Sequence, residues 1–101
     1  MKIVFSEAAK AGLREIAFYI ARDNKQRARS FVRELQDKAR ELVNMPLAFP
    51  KVPRFERHGI RRRSYRGYLI FYQIEDDRIV IVHILHGARD AEAILLEEPQ
   101  R

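Results

Sequence analysis

The hydrophobic period of this chain changes once, and that change constrains the fold more than any other feature. Up to Val43 the apolar residues recur at helical spacing, and from Ile60 they alternate with a period of two. Leu13, Ile16, Ala17 and Ile20 trace one helical stripe. Ala28, Phe31, Val32, Leu35, Ala39, Leu42 and Val43 trace a second. RDNKQ at 22–26 interrupts the two. The spacing therefore predicts two amphipathic helices with a short connection, an antiparallel hairpin. Ser6 and Asn24 are the predicted N-caps, and Glu7 puts negative charge in the first turn of the first helix. Glu34 and Lys38 stand in the favourable i, i+4 order for an ion pair. Gly12 is expected only to weaken its helix, by about 1 kcal/mol relative to Ala. The outer helix face, rich in Arg, Lys, Asp and Glu, reads as solvated.

MPLAFPKVP, residues 45–53, holds three of the four prolines. Pro46 cannot continue a helix, so the second helix must stop near Met45. This proline-rich stretch reads as a loop crossing to the second half, not a domain linker. GIRRRSYRGYLIFYQIEDDRIVIVHILHG then contains three β-rich runs, with turns expected at Arg66-Gly67 and Asp76-Asp77. KIVFS at 2–6 reads as a further strand before the hairpin. The expected fold is α+β: an N-terminal strand, then an antiparallel helical hairpin packed on a small antiparallel sheet with three consecutive C-terminal strands. With 101 residues and 47% hydrophobic content, a single domain spanning 1–101 is expected.

Two-residue turns set an expected register. Arg63 falls opposite Ile70, and Ile70 opposite His83; Arg61 falls opposite Tyr72, and Tyr72 opposite Ile81. One sheet face then holds Arg61, Arg63, Tyr65, Tyr68, Ile70, Tyr72, Ile79, Ile81, His83 and Leu85. The other holds Leu69, Phe71, Val80, Val82 and Ile84. The second is mostly aliphatic and is expected to pack on the helices. The first mixes isoleucines with two arginines and a histidine, and is expected to be a surface for a target or partner, centred on Arg61, Arg63, Tyr68, Ile70, Tyr72, Ile81 and His83.

The chemical possibilities narrow quickly. Cysteine is absent, which removes disulfides and thiolate metal sites. His83 and His86 are three apart, which on a strand sends them to opposite faces, and no third ligand clusters with them; no metal and no cofactor is implied. No phosphate-cradling glycine loop or nucleophile elbow occurs. A metal-independent ribonuclease would need a base, an acid and phosphate anchors. The candidates for those roles are His83 or His86, with Arg61, Arg63 and Arg89. The bland reading of His86, Arg89 and Asp90 is a strand end and a turn. The formal net charge of +6 and pI of about 10.1 favour acidic partners, either nucleic acid or an acidic protein segment. No signal peptide or membrane span is visible, so the expected compartment is the cytoplasm.

GIRRRSYRGYLIFYQI followed by DRIVIVHILHGARD resembles the C-terminal half of ParE toxins, in the RelE/ParE superfamily. FSEAAKAGLREIAFYIARDN and the helix beginning QRARSFVRELQ are similar to their N-terminal half. The most specific part is the strand Tyr68-Leu69-Ile70-Phe71-Tyr72 spaced from the turn His86 to Asp90, which includes Arg89. The resemblance implies a toxin of a type II toxin–antitoxin module, with DNA gyrase as target and a ParD-like antitoxin as partner in a hetero-oligomer. It implies no established catalytic residues. The RelE branch, whose members cut messenger RNA on the ribosome, is the alternative. Its members often use a C-terminal tyrosine or histidine, and the tail DAEAILLEEPQR has neither, which favours the ParE branch.

Overall fold

The computed structural model describes residues 1–87. The N-terminal strand β1 (Lys2–Phe5) leads into helix α1 (Glu7–Ala21), and a three-residue link leads to α2 (Lys25–Arg40). Both predicted caps are made: Ser6 Oγ accepts from the amide of Ala9 at 3.0 Å, and Asn24 Oδ1 accepts from that of Arg27 at 2.9 Å. Ser6 also donates its hydroxyl proton to the carbonyl of Val82 at 2.8 Å, so the cap doubles as a tie to the sheet. A 3-10 turn, Glu41–Asn44, finishes the second helix just ahead of Pro46.

The strands β2 (Arg61–Tyr65), β3 (Tyr68–Glu75) and β4 (Arg78–His86) form the consecutive antiparallel run predicted from the alternation. The sheet order is β1-β4-β3-β2, with β1 parallel to β4, so the four-stranded sheet is mixed. Arg66 (φ 50°) and Gly67 (φ 86°) make the β2–β3 turn, both left-handed as a tight hairpin of this twist requires.

The register is as expected for Arg61–Tyr72, Arg63–Ile70 and Tyr72–Ile81. It then departs. Tyr72 pairs with Ile81, but Phe71 pairs with His83, which leaves Val82 as an extra residue in β4. This bulge moves every later residue of β4 to the other face. Ile70 therefore faces Ile84 rather than His83, and His83 sits beside Phe71 on the far side.

The packing of the two faces is also the reverse of the expectation. Ile70, Tyr72, Ile79, Ile81 and Ile84 form the core with Leu13, Ile16, Phe31, Leu35 and Leu42 from the helical layer. The opposite face, with Phe71 and Leu85, is covered by the proline-rich crossing through Val52, Phe55 and Ile60. The bulge adds Ile84 to a face already holding three isoleucines and Tyr72, which makes it the larger apolar surface. Its two arginines do not interrupt the core, because they lie at its edge on β2 and extend their heads to backbone carbonyls.

Gly12 matters for packing rather than for helix propensity. A Cβ at this position would overlap the carbonyl oxygen of Ile84, so α1 rests directly on the backbone of β4. Among the described residues, no helix is long and apolar enough to cross a membrane.

Candidate functional site

The residues expected to form an open sheet face are instead engaged by the chain itself. Ile70, Tyr72 and Ile81 are fully buried. Arg61 donates from Nη1 to the carbonyl of Phe49 at 2.6 Å. Arg63 donates to the carbonyl of Lys38 at 2.9 Å, lies 3.0 Å from Glu41, and covers the ring of Phe49 at 4.9 Å. Lys38 is in the last turn of α2, where carbonyls have no helical partner, so Arg63 caps the helix from the sheet. The Tyr72 hydroxyl donates to the carbonyl of Pro46 at 2.8 Å. Burial pushes the Tyr72 phenol upward, against the opposing pull of Arg61 and Arg63. Tyr68 is half-buried between Phe31 (5.2 Å) and an edge-on His86 (5.3 Å). These side chains fasten the end of α2 and the proline-rich crossing onto the sheet.

The two strand histidines are separated. His83 is buried on the far face, and His86 ends β4 with Nδ1 buried and without a hydrogen-bond partner among the described residues. Arg89 and Asp90 lie outside the described residues. Arg61 and Arg63 reach towards α2 and the crossing loop, whereas His83 lies across the sheet from them. Among the described residues, His83 does not converge with Arg61 and Arg63.

Glu34 joins a second internal network. It accepts from Arg27 Nη1 at 2.6 Å and from the Tyr65 hydroxyl at 2.6 Å, with Arg66 Nε 4.0 Å away. The hydrogen bond from Arg27, reinforced by Tyr65 and Arg66, holds its carboxyl down to about 2. The expected pairing of Glu34 with Lys38 is absent from this network, since Lys38 points to Glu41 at 3.7 Å. The network ties the start of α2 to the β2–β3 turn.

The open surface lies on the helical hairpin, which sequence reasoning took for a plain solvated face. An open groove of about 690 Å³ runs between α1 and α2. Ala17, Phe18, Ala21, Ala28 and Val32 line it, together with Arg14, Lys25, Arg29, Arg33 and Gln36. The small alanines keep the helix surfaces low, and Phe18 stands beside them 76% exposed. No acidic residue lines the groove, and none of its four cations is in an ion pair among the described residues. The signal was present in the sequence: Ala17, Ala21, Ala28 and Val32 widen each apolar stripe on one side, and Phe18 falls next to it.

Comparison with known proteins adds independent findings. The sequence profile of the ParE toxin of the type II toxin–antitoxin system parDE matches residues 3–91. No curated protein matches the chain. Among solved structures, the fold is similar to a chain of the chromosomal ParDE toxin–antitoxin system from P. aeruginosa. The TM-score is 0.70 at 17% sequence identity, over 85% of this chain and 95% of that one. At that identity the likeness is one of fold.

Proposed function

The chain belongs to the ParE toxin family of type II toxin–antitoxin systems, and from that membership we propose that it acts by binding rather than by catalysis. Its target in this reading is DNA gyrase, and a cognate ParD-like antitoxin neutralises it in a cytoplasmic hetero-oligomer. The observation that carries the antitoxin half is the α1–α2 groove. It combines an apolar floor with four cations that form no ion pair among the described residues, the complement of an amphipathic segment with apolar anchors at i, i+3 and i+4 and acidic flanks. A segment of this kind that orders on binding covers much surface while losing chain entropy at that step, which suits a partner that must be removable.

The non-enzymatic half is supported by the position of His83, which lies across the sheet from Arg61 and Arg63. Purified protein is expected to inhibit gyrase supercoiling stoichiometrically, and one equivalent of antitoxin to restore it. Substoichiometric protein that degrades ribosome-bound message while leaving supercoiling normal would instead establish the RelE-type reaction.

A further inference from the structure

The formal charge excess of this chain is confined to one stretch. Residues 51–66 hold seven cations and a single anion, Glu56, and so carry the whole net +6; the rest of the chain balances thirteen cations with thirteen anions. Three of the seven are engaged by the protein itself: Arg61 by the Phe49 carbonyl, Arg63 by the Lys38 carbonyl and Glu41, and Arg66, though exposed, by Tyr65 and Glu34. The other four, Lys51, Arg54, Arg57 and Arg62, sit on one excursion that leaves and rejoins the outer edge of β2. Lys51, Arg54 and Arg57 are exposed and Arg62 is half-exposed. Lys51, Arg57 and Arg62 make no ion pair among the described residues, and the amide of Arg54 donates to Glu56 at 2.9 Å.

The excursion is held firmly. The amide of Val52 donates to the carbonyl of Ile60 at 2.8 Å, that of Arg62 to Pro50 at 3.1 Å, and Gln73 Nε2 to His58 at 2.7 Å. Its tip is a turn closed by the Phe55 amide on the Val52 carbonyl at 3.0 Å. Pro53 takes the first central position, and Arg54 takes the second at φ 76°, where such a turn prefers glycine. A charged side chain thus occupies a backbone position that is unfavourable for it, a pattern associated with functional loops.

We propose that this excursion is a contact surface for duplex nucleic acid, holding backbone phosphates without reading bases. The chemistry discriminates against other partners. A protein interface centres on tryptophan, tyrosine or arginine anchors held in desolvated pockets, but Val52, Phe55 and Ile60 point inward and are buried, and the cations of the excursion are exposed or half-exposed. A single strand is held by base stacking on exposed rings, and the exposed large apolar side chains of the described residues, Met1, Phe18, Tyr19 and Leu47, all lie outside residues 51–62. Fixed cations without an apolar centre suit phosphates, which position a duplex but carry no sequence information. The proposal goes beyond the gyrase reading and does not depend on it.

The test is binding of the full chain to a labelled duplex of random sequence, without gyrase, across a salt series. Three to four phosphate contacts predict that affinity falls about 40- to 150-fold between about 50 and 200 mM salt. The triple variant Lys51→Ala, Arg57→Ala, Arg62→Ala removes side chains that form no internal ion pair among the described residues, so it should keep the wild-type melting temperature. It should bind more weakly, with a logarithmic salt slope shallower by about 3. The variant Arg57→Lys, Arg62→Lys should retain most binding. Unchanged affinity and slope in the triple variant would overturn the proposal. So would tighter binding to a single strand of equal length, or displacement of the duplex by polyglutamate at equal charge. Supercoiling is read in parallel. Loss of duplex binding with full gyrase inhibition shows that the surface is unrelated to the target, and duplex binding without gyrase inhibition removes the target reading alone.

Discussion

Gly12 on α1 lies against the carbonyl oxygen of Ile84 on β4 so closely that a Cβ between them would overlap the oxygen. The contact sets the distance between the helical layer and the sheet. On a solvent-facing helix, Gly→Ala gains up to about 1 kcal/mol of helix propensity. Here the added methyl meets backbone, which cannot swing aside as a side chain can. Gly12→Ala is therefore expected to destabilise the protein by about 1–3 kcal/mol net, the usual range for overpacking. Urea unfolding gives the sign directly: a more stable variant would show that α1 can lift from β4 without loss.

The same pair shows where reading a sequence succeeds and where it stops. Element types, both N-caps and the two hairpin turns are dictated by period and local chemistry, which are encoded residue by residue. The bulge at Val82 is not encoded in that way, because VIVHIL alternates as well with an extra residue as without one. That single insertion reassigned His83, Ile84 and Leu85 between faces; separately, the helices cover the face expected to bind. Arg61 and Arg63 reinforced the error. Their charge argues for solvent, but their carbonyl partners at Phe49 and Lys38 are distant in sequence. The groove was missed for a related reason: a helical stripe shows which residues are apolar, not which of them the tertiary fold leaves uncovered.

Arg63 is expected to be structural rather than a target contact. Its side chain is only 13% exposed, and it satisfies the Lys38 carbonyl and pairs with Glu41. Arg63→Ala should cost about 1.5–3 kcal/mol, the range for a hydrogen bond to a charged group. Lysine offers one point of charge in place of a planar fork, so Arg63→Lys should recover only part of this. Inhibition of supercoiling per folded molecule should be unchanged in both variants. A loss of inhibition with unaltered stability would return Arg63 to the target surface.

Glu34 makes stability depend on pH in a defined window. Its carboxyl is held near 2 in the folded protein by Arg27 and Tyr65, below its ordinary value near 4.5. A depressed folded value stabilises above the unfolded value, and that contribution is lost as pH falls from about 4.5 towards about 2. Wild-type should exceed Glu34→Gln in denaturant midpoint at about pH 7, and the gap should close across that acid window. The network is partly exposed, so the gap should also narrow in high salt. A difference that persists at pH about 2 would assign it to packing of the side chain instead of its charge.

Phe18 is the residue on which the antitoxin reading is most easily tested. At 76% exposure it contributes little to folding, so Phe18→Ala should shift stability by no more than about 0.5 kcal/mol. An aromatic anchor at the centre of a desolvated interface is worth about 2 kcal/mol or more, so antitoxin affinity should fall by about 30-fold or more. Arg29→Glu and Arg33→Glu, on the rim, should act differently. They should slow association and flatten its salt dependence, with a smaller effect on dissociation. Titration calorimetry and stopped-flow binding separate the two classes. Wild-type affinity in Phe18→Ala, together with wild-type association kinetics in the arginine reversals, would place the antitoxin elsewhere on the molecule.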